Sequence, residues 1–165
     1  MKRILAVALG AAFIASLLAA QTTAPAKPAS IGWIGTMMTS HDSLLFVKVR
    51  NDIPAGAEPA KYPNVIQMHW KYVPDGKGLP TDRELSRMEK LEADLDPIQG
   101  DRAGYLMMIV TGNGERIWLW YVADPKAFGA ELNRLIPNHP YPITLNATGQ
   151  ETDWTTYRAM RVKVK

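Results

Sequence analysis

Residues 111 to 122, TGNGERIWLWYV, set Asn113 and Gly114 between two runs, YLMMIVT and RIWLWYV, that are rich in aromatic and β-branched residues. This link constrains the fold more than any other feature of the chain. Both central positions of a type I′ turn need positive φ, which Asn tolerates and Gly adopts without a steric penalty, so the two runs are predicted to pair as a tight antiparallel hairpin. A phosphate cradle would need a helix directly after its glycines, so that amides and helix dipole converge on the anion. A strand is expected there instead, with no Lys-Ser/Thr pair and no GxGxxG pattern. The glycines are read as turning the chain, not as holding a ligand.

The other elements follow from periodicity. IGWIGTMM and LLFVKVR are short strand-like runs separated by TSHDS, and read as a hairpin; NDIPAGAEPAKYP is a loop whose three prolines each deny a donor to a ladder. NVIQMHWKYV alternates, with Ile66, Met68, Trp70 and Tyr72 on one face and Gln67, His69 and Lys71 on the other. TDRELSRMEKLEADLD opens on Thr81 as N-cap with Glu84 three residues on, a capping box, and carries an apolar stripe of Leu85, Met88, Leu91 and Leu95 that Pro97 ends. In ADPKAFGAELNRLIP, Asp124 is the expected N-cap, Pro125 the first helical residue, and Phe128, Leu132, Leu135 and Ile136 the buried stripe. YPITLNA supplies a last strand with Ile143 and Leu145 on one side, and Trp154 and Tyr157 pin the tail to the body.

From Asn64 to Ala147 the order is βαββαβ. The predicted class is therefore α+β: a ferredoxin-like antiparallel sheet with two helices on one face, preceded by an extra N-terminal β-hairpin. The two central strands are apolar on both faces, which an antiparallel sheet with one wet face does not show, so something is expected to cover the second face.

At the N-terminus, Lys2 and Arg3 precede an uninterrupted apolar stretch from Ile4 to Ala20, the layout of a secretory signal peptide cleaved after Ala20. Residues 21–30 read as a flexible linker and residues 31–165 as a single α+β domain. The chain is thus expected to be exported, periplasmic or secreted, with no stable membrane anchor after cleavage. It has 165 residues and no cysteine, which excludes disulfides, thiol catalysis and a cysteine metal cage. Its basicity resides in the leader: without Lys2 and Arg3 there are 17 basic against 16 acidic residues, so no nucleic-acid partner is expected.

Four stretches resemble one uncharacterised family, domain-of-unknown-function family 695. They are the Trp33 region with SLLFVKVRNDI, then GLPTDRELSRMEKLEADL, TGNGERIWLWYVADP and DWTTYR, covering about Trp33 to Arg158. The resemblance implies the α+β fold and no activity, since the family is defined without one. Some related proteins are reminiscent of a ferredoxin-like inhibitor of a cytoplasmic ribonuclease, which implies protein binding; export would keep this chain from that kind of partner.

No catalytic, cofactor or metal site is assigned. Ser40, His41, Asp42 and Ser43 are neighbours in a turn and cannot line up as nucleophile, base and orienter, and His41, His69 and His139 lie in different elements. Glu84, Glu89, Glu92, Asp94 and Asp96 mostly share the solvent side of the first helix with Arg87 and Lys90. In the last hairpin strand, Arg116, Trp118 and Trp120 fall on one face and Ile117, Leu119 and Tyr121 on the other. If the second set meets the helices, the tryptophans stand on the helix-free face beside Gln67, His69 and Lys71, a candidate binding surface. Two functions remain open: a non-catalytic domain binding a protein partner or a second copy through that face, or a small-ligand protein or enzyme with a pocket between sheet and capping segment, its polar groups from Arg116, Tyr121 and His69.

Overall fold

The computed structural model describes residues 32–40 and 43–164. The predicted signal peptide and linker, together with His41 and Asp42, lie outside the described residues. Six strands form one antiparallel sheet: β1 (Trp33–Ser40), β2 (Ser43–Arg50), β3 (Asn64–Lys71), β4 (Gly104–Gly112), β5 (Glu115–Val122) and β6 (Ile143–Gln150), in the spatial order β1-β2-β4-β5-β3-β6. Among the described residues three α-helices accompany it: α1 (Asp82–Leu95), α2 (Pro125–Leu135) and α3 (Thr155–Lys163). The chain is α+β, in the element order expected from Asn64 through β6.

β4 and β5 pair from Gly104↔Val122 to Gly112↔Glu115, leaving Asn113 and Gly114 as the whole link, with φ of 53° and 76°. This is the positive-φ pair that the Asn-Gly sequence predicts. β1 and β2 form the expected N-terminal hairpin, in register from Trp33↔Arg50 to Ser40↔Ser43. β2 lies close against the end of β4 because Gly112 has no Cβ: one added there would stand 2.2 Å from the Leu44 carbonyl oxygen.

The helix ends follow their local signals. The Thr81 side chain accepts from the Glu84 amide, and the Asp124 carboxylate accepts from the amides of Lys126 and Ala127 with Pro125 at the first position. Only half of the capping box forms, because the Glu84 carboxylate accepts from the Trp70 indole N–H at 2.6 Å instead of turning back to Thr81.

Two buried clusters sit on opposite faces of the sheet. On one, Met88, Leu91 and Leu95 of α1 and Phe128 and Leu132 of α2 pack on Met68, Trp70, Trp118 and Trp120. On the other, Trp154 and Tyr157 pack on Val65, Tyr105, Leu119 and Tyr121. The cover demanded by the doubly apolar central strands is therefore the chain's own C-terminal segment, which is helical; sequence reading anchors it through the same two aromatic residues but does not foresee α3. The second face is not helix-free, as the sequence suggested. A register shift between Leu106 and Met108 accounts for the broken alternation of YLMMIV, sending Met107 and Met108 together toward the α3 side.

α3 is held by a relay as well as by packing. The Tyr157 amide donates to the Tyr121 hydroxyl at 3.2 Å, and that hydroxyl donates to the Glu151 carboxylate at 2.6 Å, which also accepts from the Thr156 amide at 2.9 Å. Burial alone would raise the Glu151 pKa, but the bonds from Thr156 and Tyr121 outweigh it and hold the carboxyl below its ordinary value. A carboxyl depressed in the folded state stabilises the protein above its unfolded pKa, and that contribution disappears as pH falls through the folded value. Glu151→Gln is therefore expected to lower the melting temperature near pH 7, and the gap from wild type to narrow as pH falls below the ordinary glutamate range, as read in thermal melts across an acid pH series.

Candidate binding groove beside α1

The sheet is six strands wide, and the two helices on its first face leave its β1–β2 end uncovered. Register puts Trp33, Gly35 and Met37 of β1, and Phe46, Lys48 and Arg50 of β2, on that face, in line with Ile109 and Thr111 of β4. α1 stands beside this strip as a wall, so a groove runs between helix and hairpin.

Two hollows follow one another along it. The larger, about 400 Å³, has Met37, Phe46, Lys48, Thr111 and Arg116 as floor, with Asp82, Leu85 and Glu89 of α1 as wall. The smaller, about 220 Å³, lies between Trp33 and Arg50 on one side and Glu92 and Leu95 on the other, over Trp118 and Trp120. Met37 is 49% exposed and Phe46 38%, and they are direct cross-strand partners. The other exposed large hydrophobics among the described residues stand apart, Val73 in the loop after β3, Leu145 in β6 and Val162 in α3. The Phe46 ring reaches over Gly35, where a Cβ would meet it at 3.1 Å, so the missing side chain leaves room for the ring on β1.

The polar chemistry of the groove is set from beneath. Thr111 and Arg116 are each only 4% exposed. Arg116 pairs through Nη2 with the Glu92 carboxylate, whose Oε1 also accepts from the Trp118 indole N–H at 2.8 Å. Among the described residues, four buried side-chain atoms have no hydrogen-bond partner, and three belong to residues lining the hollows: Thr111 Oγ1, Arg116 Nε and Trp120 Nε1. Buried polar atoms are ordinarily satisfied, so these three are exceptions, and they lie together beside the hollows. At the far end Arg50 stacks over Trp33 at 4.4 Å and donates to Gln99 Oε1 at 2.7 Å; burial lowers its pKa from the ordinary value, with Asp96 opposing.

The six residues predicted to form one surface are divided between the two faces. Trp118 lies opposite Met68 and Trp120 opposite Ile66, which puts both tryptophans and Arg116 beneath the helices, buried. Gln67 and His69 lie opposite Leu119 and Ile117 on the α3 side, where His69 Nδ1 is 3.1 Å from Glu115 Oε1, and Lys71 is exposed next to them. The expected juxtaposition needed the opposite parity between β3 and β5. Nor do Arg116, Tyr121 and His69 share a pocket, since Tyr121 is sealed under Trp154. The acidic face of α1 is also less solvated than expected: Glu84 and Glu92 bind indole N–H groups, and Asp94 accepts from the Tyr141 hydroxyl.

Sequence reasoning missed Met37, Phe46, Asp82 and Glu89. One signal was present: β2 alternates Phe46, Lys48 and Arg50 against Leu45, Val47 and Val49, so one face of the hairpin is only partly apolar.

The chain is a member of the Family of unknown function (DUF695), whose sequence model matches residues 32–160, from the start of β1 into α3. No curated protein and no solved structure matches it. Among the described residues, no helix is long and apolar enough to cross a membrane.

Proposed function

We propose that this protein is an exported, non-catalytic binding domain that recognises a protein partner or a second copy of itself through the groove between α1 and the β1–β2 hairpin. The observation that carries the reading is the exposed Met37–Phe46 pair in one cross-strand row with Thr111 and Arg116, whose buried Oγ1 and Nε have no partner. An apolar patch rimmed by polar groups is how an interaction site differs from scattered surface hydrophobes. Export rests on Lys2, Arg3 and the apolar stretch after them. We take β3-α1-β4-β5-α2-β6 as a ferredoxin-like unit, supported by the strand order β6-β3-β5-β4, with the hairpin added at the β4 edge. The addition matters for function, because it is what creates a stretch of sheet beside α1 with no helix of its own.

Met37→Glu tests the site. Met37 is half exposed on an edge strand, so the variant is expected to melt within a few degrees of wild type, in keeping with ~0.5 kcal/mol for a surface change. It is expected to abolish capture of partners that wild type retains, or self-association measured by sedimentation, while Lys71→Glu on the opposite face leaves both intact. Loss of association in Lys71→Glu with none in Met37→Glu would return the site to the α3 side.

A further inference from the structure

Resting on the groove as the binding site, we infer that its occupant is an amphipathic helix with a basic flank, contributed by a partner protein and seated as a third helix alongside α1. The dimensions support a helix. The uncovered strip is two strands wide, roughly 10 Å at the usual strand spacing, which is the width of one α-helix with its side chains. α1 and α2 already use the rest of this face in the same way, laying apolar stripes on the sheet.

Charge decides which helix. On the wall of the larger hollow, Asp82 and Glu89 stand two turns apart on α1, both exposed, and among the described residues neither carboxylate has a side-chain partner. Asp75 adds a third negative charge at that end, its carboxylate fixed by the amides of Lys77 and Leu79. Two cations line the same hollow: Arg116 is compensated by Glu92, and Lys48, whose ammonium stands 5.5 Å from the Trp33 ring, leaves one positive charge against the three carboxylates. The rim is therefore acidic around the Met37–Phe46 floor. A helix with apolar residues downward and Lys or Arg toward α1 satisfies both, whereas an acidic helix meets like charge along α1.

The probe is a synthetic peptide of about 18 residues, long enough for five turns, with leucines on one face flanked by lysines; its counterpart carries glutamate at every lysine position. Fluorescence anisotropy against the purified protein is expected to show binding of the lysine peptide, weakened at least about tenfold from 0.05 to 0.5 M salt, and no binding of the glutamate peptide. Asp82→Asn with Glu89→Lys is expected to cost the lysine peptide about tenfold, and Met37→Glu to abolish its binding. Equal binding of both peptides, still lost in Met37→Glu, overturns the basic-helix inference and leaves the groove in place. Binding indifferent to Met37→Glu overturns both. Failure of the lysine peptide to bind, with partner capture still sensitive to Met37→Glu, overturns the inference alone.

Discussion

Glu92→Ala is expected to cost about 3 kcal/mol of folding stability, and Arg116→Met distinctly less, in urea denaturation of the two variants side by side. The asymmetry comes from burial. The Arg116 side chain is 5% exposed and Glu92 21%, so removing Glu92 strands a guanidinium under α1, while removing Arg116 leaves a carboxylate that still reaches water and still accepts from Trp118. Glu92→Ala also leaves the Trp118 indole N–H without its acceptor, at a further cost already within the range for breaking a buried pair. Replacing both partners, Arg116→Met with Glu92→Leu, is expected to recover most of the loss, because the desolvation of two charges disappears with them. If Glu92→Ala costs under about 1 kcal/mol, the guanidinium is hydrated through the larger hollow, and the pair is a rim contact and not the groove's foundation.

That pair also shows where sequence reading runs out. The Asn113–Gly114 hairpin was legible because its cause is local: two positive-φ positions between two apolar runs. Apolar residues on both faces of β4 and β5 likewise told that the second face must be covered, and Trp154 and Tyr157 are what cover it. Parity was not legible. Arg116, Trp118 and Trp120 form one set in β5 and Ile117, Leu119 and Tyr121 the other; both sets are apolar enough to face a core, and a one-residue shift against β3 exchanges them. That register is decided by residues far apart in the chain, above all the need to put Ile66, Met68 and Trp70 under the helices. The groove was illegible for the same reason. It exists because β2 pairs with β4, a nonlocal choice that places Phe46 and Met37 beside α1, and no periodicity within either segment encodes that neighbour.

The largest single loss is expected from Trp154→Ala, about 4 kcal/mol, in the range for emptying a buried large aromatic site. Trp154 is completely buried, stacks on Tyr121 at 4.7 Å, lies edge-on to Tyr157, and donates its indole N–H to the Tyr62 carbonyl at 2.9 Å. It thus joins α3 to the loop after β2 and to the central strand at once. Its backbone adds a second constraint, since it precedes α3 in the left-handed region with φ of 57°, a conformation costly for a bulky residue and tolerated here because the ring is held on all sides. Trp154→Gly relieves that strain while removing the ring, so it is expected to be less damaging than Trp154→Ala by up to about 1 kcal/mol. Trp154→Phe keeps the stacking but drops the bond to Tyr62, and is expected to fall between Trp154→Gly and wild type. Because the site lies across the sheet from α1, the lysine peptide is expected to bind a folded Trp154→Phe protein as it binds wild type. Near-ultraviolet circular dichroism, urea midpoints and peptide anisotropy on the same samples separate these effects. A Trp154→Ala protein as stable as wild type would mean that α3 is not what shields Leu119 and Tyr121, and that the second face of the sheet has some other cover.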